Sequence, residues 1–158
     1  MTDSCRDRAA EFPAADSISI RPYAAADEAA VIALWRDCDL LRPQNDPHKD
    51  IGRKLRVNGE WFLVAEQAGR IVGSVMAGFE GHRGWINYLA VAPAHRRTGL
   101  GRRLMHEAEL RLRAVGCPKI NLQVRRGNEA ALEFYRRIGF ATDEVVSLGK
   151  RLERDDGN

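Results

Sequence analysis

Leu89-Ala90-Val91-Ala92-Pro93-Ala94-His95-Arg96-Arg97-Thr98-Gly99-Leu100-Gly101-Arg102-Arg103-Leu104 is the stretch on which the reading of this chain turns. An apolar strand stops at Pro93, which cannot donate to a β-ladder, and a glycine-containing loop leads into apolar side chains at helical spacing. The start of a helix leaves unpaired N–H groups and carries roughly half a positive charge, so a glycine turn at that place makes a concave anion site. A diphosphate fits such a site. Gly99 and Gly101 keep Cβ atoms out of the way of an approaching phosphate, the amides of Thr98 and Leu100 lie beside them, and Arg96, Arg97 and Arg102 add charge at the rim. The plain alternative is a left-handed turn that merely opens a helix. The preceding strand, the arginines and the long amphipathic run that follows favour the anion site.

Working outward, Ile18 and Ile20 alternate with polar neighbours up to Pro22, and Val31, Leu34, Trp35 and Cys38 then form a helical stripe. Asp46 before Pro47 is an N-cap followed by a proline at the first helical position, which predicts a second helix over 48–57. Residues 61–65 and 71–76 are β-branched apolar runs separated by Gln67-Ala68-Gly69-Arg70 and read as a hairpin, and 85–91 is a third strand beside them. Leu100, Leu104, Ala108, Leu112 and Val115 repeat at helical spacing until Gly116. A strand over 120–124, a helix over 128–138 ending at Gly139, and a last strand over 145–148 complete the order βααβββαβαβ. The expected fold is therefore α/β (α+β), with a mixed, mostly antiparallel sheet flanked by about four helices. Residues 1–16 read as a disordered leader, 17–152 as one domain and 153–158 as a charged C-terminal tail.

Bulk composition narrows the class. The 158 residues, 44% of them hydrophobic, suffice for one core. No apolar run approaches the roughly 18 residues that cross a bilayer. Three cysteines without CxxC spacing argue against a disulfide framework or a thiolate zinc site and fit a reducing cytoplasm. His95 and His106 have no metal-ligand spacing, so no metal is expected. The net charge of +3 suits an anionic partner. A nucleic-acid binder would show a basic stripe interleaved with aromatics, whereas the arginines here crowd one loop and its helix.

Neither the dinucleotide GxGxxG nor the P-loop GxxxxGK[ST] is present. Arg96-x-x-Gly99-x-Gly101 instead resembles the [QR]-x-x-G-x-[GA] signature of the GNAT superfamily of N-acetyltransferases, and residues 128–140, NEAALEFYRRIGF, resemble that superfamily's N-x-x-A-x-x-[FLI]-Y-x-x-x-G-F motif. Both lie in the right order, and the likeness covers about Ile18 to Leu152. Residues 38–47, 81–84 and 116–120 resemble the YpeA-like branch of bacterial acetyltransferases.

The resemblance implies a sheet splayed in a V between the strands 85–91 and 120–124, with the pantetheine arm of acetyl-CoA in the slot. The backbone of Leu89 and Val91 would pair with that arm. The amides from Thr98 to Gly101, with Arg96, Arg97 and Arg102, would hold the pyrophosphate, and Asn128, Tyr135 and Arg137 would add contacts. Tyr135 matches the family's tyrosine and is the implied general acid for the leaving thiolate. The acceptor ammonium needs a base. The glutamate that several relatives carry before the phosphate loop is missing from Trp85-Ile86-Asn87-Tyr88, so Glu80, His82 and a water held by Asn87 and Tyr88 stand as candidates. The loop with Leu41, Asn45 and Asp46, together with Asp39 and Asp50, is expected at the acceptor end. The implied activity is acetyl transfer from acetyl-CoA to a primary amine. A CoA-binding sensor without turnover and a peptide N-terminal acetyltransferase are the alternatives. The Tyr-Tyr element typical of the latter is absent after Phe140. An exposed sheet edge in the last strand would suit a homodimer.

Overall fold

The computed structural model describes residues 17–156, and the expected leader over 1–16 lies outside them. Five strands form one sheet in sequential order: β1 (Ser19–Pro22), β2 (Phe62–Gln67), β3 (Arg70–Phe79), β4 (Gly84–Val91) and β5 (Ile120–Asn121). The pairs β1–β2, β2–β3 and β3–β4 are antiparallel, and β4–β5 is parallel. Four α-helices flank the sheet among the described residues: α1 (Glu28–Asp37), α2 (Pro47–Leu55), α3 (Leu100–Ala114) and α4 (Glu129–Arg137).

Local chemistry explains the boundaries. The Asp46 side chain accepts from the amides of His48 (2.8 Å) and Lys49 (3.4 Å), which fixes the start of α2 one residue before the proposed one, at Pro47. Ala68 and Gly69 both have positive φ, 48° and 74°, and close the β2–β3 hairpin with two left-handed residues. Apolar side chains of β2 to β4 alternate between two layers. Leu63, Val75, Ile86 and the buried face of α3 (Leu104, Ala108, Leu112) pack on one side. On the other, Phe62, Val64, Met76 and Ala90 meet Val31, Trp35 and Ile51 from α1 and α2.

Two expectations fail. The strand over 145–148 does not form, so the order ends with α4. Val145, Val146 and Leu148 are 77%, 85% and 91% exposed, so burial gives that segment no reason to join a sheet. It is tied to the β5 region by side chains instead. Asp143 accepts from Lys119 Nζ and Asn121 Nδ2, each at 2.8 Å, and Gln123 donates to Ser147. The strand expected over 120–124 is only Ile120–Asn121, because β4 and β5 pair solely at Gly84/Ile120 and Trp85/Asn121 and then part.

Past that point β4 also breaks its register with β3. Ser74 pairs with Ala90 but Met76 pairs with Asn87, so Tyr88 and Leu89 together oppose Val75 in a β-bulge. Tyr88 has φ 50°, a left-handed value that a tyrosine adopts only when its surroundings impose it. Ser74 supplies much of that constraint. Fully buried, its hydroxyl donates to the Tyr88 carbonyl and accepts from Trp35 Nε1, both at 2.9 Å. The Trp35 ring stacks on the Tyr88 ring with centroids 3.9 Å apart.

Ser74→Ala leaves the Trp35 donor and the Tyr88 acceptor without that partner, at about 1–3 kcal/mol for each group that stays unsatisfied. Urea unfolding of the variant is expected to show a loss in that range, and a stability unchanged from wild type would contradict this account of the bulge.

Candidate active site

The part of β4 that has left β5 carries Tyr88 and Leu89, two residues that the sequence had marked. Leu89, at the bulge, and Tyr135, on α4, both pack against the layer under α3. Tyr88, one residue earlier, packs against the α1–α2 layer. Adjacent residues of the bulge therefore belong to opposite faces of the sheet. The carbonyl of Val91 accepts the Cys38 thiol at 3.3 Å, which ties the end of β4 to the end of α1.

Beyond β4, a single 3₁₀ turn over Pro93–His95 delivers the chain to the loop before α3. Arg97 (φ 62°) and Gly99 (φ 84°) both take left-handed values, which curl the loop back on itself, and the Thr98 hydroxyl donates to the His95 carbonyl at 2.5 Å. A non-glycine residue in this conformation costs about 1–2 kcal/mol, strain of the kind that gathers at functional sites. The N-cap of α3 is Gly99, and no side chain caps the helix. The Leu100 side chain is buried in the core, so only its backbone belongs to the loop surface. Arg96, Arg97 and Arg102 are exposed and make no ion pair among the described residues. The first turn of a 15-residue helix thus presents uncapped amides beside three guanidinium groups without a carboxylate.

The two glycines do different work. Gly99 needs its positive φ and has open space where a Cβ would stand. Gly101 faces α4: a Cβ there would lie 3.2 Å from Cε2 and Cζ of Phe134. Its smallness serves the packing of α3 on α4, a reason the motif alone did not reveal.

On α4, the Asn128 side chain accepts from the Ala131 amide at 3.1 Å and caps the helix. Tyr135 sets its ring edge to face against Phe134 and Phe140, with centroids at 5.1 and 5.6 Å. Burial pushes its phenol up to about 12. Arg137 pairs with Glu133 at 3.1 Å and shares with Arg102 and His106 a groove of about 730 Å³ between α3 and the end of α4.

The candidate bases are far apart. Glu80 sits at the β3–β4 turn, where its carboxylate accepts from the amides of His82 (3.0 Å) and Arg83. That turn adjoins Gly84, where β4 and β5 are still paired, and Tyr88 lies four steps further along the strand, roughly 13 Å away. Tyr88 stands at the open end, and its hydroxyl donates to Asp50 Oδ2 on α2 at 2.6 Å.

In the loop expected from sequence at the acceptor end, Leu41 packs into the α1–α2 layer. Asn45 Oδ1 accepts from Arg151 at 3.2 Å, and Asp46 is engaged as the α2 cap. The C-terminal segment, read from sequence as a charged tail, folds back over this loop. Arg151 also donates to the Gln44 carbonyl at 3.0 Å. Asp155, its side chain 2% exposed, accepts from the Asp46 amide at 3.0 Å and from Arg53 at 2.6 and 3.0 Å. The sequence reading missed Arg53, Asp155 and Arg151, because residues about a hundred positions apart carry no local pattern. Among the described residues, no three His, Cys, Asp or Glu side chains gather as a metal site, and no helix is long and apolar enough to cross a membrane.

Comparison with known proteins identifies the family and the fold. An acetyltransferase of Yersinia enterocolitica is 48% identical over 85% of this chain and 96% of its own length. Among solved structures, Ard1 from Thermoplasma volcanium superposes with a TM-score of 0.67 at 25% identity, covering 78% of this chain and 82% of that one. The PaiA N-acetyltransferase from Thermoplasma acidophilum, solved in complex with coenzyme A, has the same fold at a TM-score of 0.71 and 18% identity, covering 82% and 93%. The model of the acetyltransferase (GNAT) family matches residues 26–140, which hold the bulged strand, the uncapped glycine turn and the α4 tyrosine, and the chain belongs to that family.

Proposed function

We propose that this acetyltransferase uses acetyl-CoA as donor and transfers acetyl directly to a primary amine. One observation carries the reading: an uncapped helix start, with exposed Arg96, Arg97 and Arg102 in its loop and first turn, follows β4 after β4 and β5 have parted. The coenzyme A held by the Thermoplasma acidophilum neighbour supports the same donor here.

The residues fit the two ends of such a molecule. The amides from Thr98 to Gly101 and the three arginines receive the pyrophosphate, with Arg137 across the groove from Arg102 and Asn128 at the start of α4. The pantetheine arm lies between the parted strands and pairs with backbone groups of Leu89 and Val91. A strand N–H polarises the thioester carbonyl, an arrangement worth roughly 3 kcal/mol in other enzymes. Tyr135 supplies the proton that the leaving thiolate needs. Its raised pKa favours the role, since a phenol near 12 stays protonated across the neutral and mildly basic range. The acceptor enters from the α1–α2 face, over the loop with Leu41, Asn45 and Asp46.

Charge reversal at Arg96 and Arg97 removes up to two charge-assisted contacts of about 1.5–3 kcal/mol each. Calorimetry on the double variant should record CoA affinity at least about tenfold weaker, since 1.4 kcal/mol is a factor of ten. Unchanged affinity would remove the basis of the reading.

Tyr135→Phe should lower kcat by on the order of 10²-fold while CoA affinity holds. Because the raised pKa keeps the donor form intact below about 12, the wild-type profile should show no loss of this acid until about pH 11. A Phe variant with wild-type kcat would exclude the general-acid role.

A further inference from the structure

An acceptor amine must lose a proton before it attacks, and no group described so far takes that proton. The Tyr88 hydroxyl, at the bulge where the strands open, donates to Asp50 Oδ2 at 2.6 Å. Asp50 Oδ1 accepts from Arg53 Nη1 at 3.1 Å, and Arg53 is gripped by both carboxylate oxygens of Asp155. Two further charges reach this cluster: Lys49 lies 3.9 Å from Asp155, and Glu153 lies 3.7 Å from Arg53. From the loop between β5 and α4, Arg125 acts on Tyr88 with a positive field, opposing the negative fields of Asp50 and Asp155. The Trp35 ring covers one face of the phenol.

This arrangement suits proton removal. Asp155 takes both terminal guanidinium nitrogens of Arg53, Asp50 Oδ1 shares one of them, and Asp50 Oδ2 is left to the phenol. Burial and the bonded carboxylate hold the Tyr88 phenol well above the ordinary tyrosine range, so it passes a proton on rather than standing ionised. Arg125 disfavours a second cation beside Tyr88, which lowers the proton affinity of an amine arriving there.

We propose that Tyr88 and Asp50 receive the ammonium group of an alkylamine acceptor and take its proton, with Arg53 and Asp155 as positioning residues. The inference rests on the chain being an acetyl-CoA-dependent N-acetyltransferase. An ammonium N–H bond breaks as its proton passes to the Tyr88 oxygen, and the phenolic proton passes to Asp50 Oδ2. The result is a neutral amine, a neutral tyrosine and a carboxylic acid that later releases its proton to solvent. The amine lone pair forms the C–N bond, the C–S bond breaks, and the thiolate takes a proton from Tyr135. The second proton lost from nitrogen restores that phenol through solvent. Acetyl-CoA and an alkylammonium thus become an acetamide, CoA thiol and one free proton.

The test compares two nucleophiles with acetyl-CoA and the full chain. Hydroxylamine is largely unprotonated at neutral pH and needs no base, whereas propylamine, spermidine and Nα-acetyllysine amide carry ammonium groups of reference pKa about 10.4. Asp50→Asn and Tyr88→Phe should each lower kcat/KM for the alkylamines at pH 7 by on the order of 10²-fold. The deficit should shrink as the pH approaches about 10, where free amine is abundant. Hydroxylamine transfer should persist in both variants, and Asp155→Asn should displace the alkylamine pH profile in the same direction. Wild-type alkylamine rates at pH 7 in the Asn and Phe variants would overturn the proposal, as would an equal loss with both nucleophiles. A wild type that uses hydroxylamine but no alkylamine at any pH would overturn the acceptor class. A wild type that acetylates neither above the uncatalysed rate would overturn the N-acetyltransferase reading itself, and this inference with it.

Discussion

The hydroxyl of Ser74 is the smallest group on which the largest part of this architecture depends. Buried in the sheet, it satisfies the indole of Trp35 on one side and the carbonyl of Tyr88 on the other. An unpaired polar group at that depth is costly, so the two bonds fix where β4 abandons its register with β3. The positive φ of Tyr88 follows from this constraint. Two consecutive residues then oppose one, and the strand bends out of line. β4 has already left β5 after Trp85, so the bend falls within the stretch of β4 that has no partner on that side.

Glycines keep the walls of that opening close. A Cβ on Gly84 would lie 2.9 Å from Cys117 Sγ and 3.1 Å from Leu112 Cδ1, so the vertex of the opening can pack against the end of α3 only with glycine there. Gly101 does the same at the other end of α3, where it lets Phe134 approach, and Phe134 in turn sets the ring of Tyr135. At both ends of α3, therefore, the close approach is made by backbone that carries no side chain. A flexible loop could not hold an implied general acid within a fixed distance of an implied thioester; packed aromatic rings on a helix can.

What the sequence could tell depended on how far apart the interacting residues lie. The α3 loop was legible because Pro93, Gly99, Gly101 and the helical apolar run act over a few positions, and the Asp46-Pro47 cap was legible for the same reason. The fold class followed, since hairpin signals and apolar periods mark elements one at a time. The missing last strand was not foreseeable from residues 145–148 alone: the β-branched valines are there, but no surface buries them. The bulge has no local signature either, since its cause lies in Ser74 and Trp35, 14 and 53 positions before Tyr88. The return of Asp155 to Arg53 spans 102 positions, and a run of charges at a terminus reads equally well as solvated chain.

The charge pattern along the opening argues for one direction of the donor. At the α3 end, Arg96, Arg97 and Arg102 have no carboxylate among the described residues, and the helix start adds its own positive field. At the α2 end, Arg53 faces Asp50 and Asp155, and Asp155 also draws in Lys49. An anion gains at the first end, whereas at the second it would meet carboxylates already bound to their own cations. On the proposed reading the pyrophosphate can settle only beside α3, which sends the pantetheine arm toward the bulge and brings the thioester to Tyr88. The same asymmetry leaves the α2 end to the acceptor, where a base held in a nearly neutral network can accept a proton without first displacing a counter-ion.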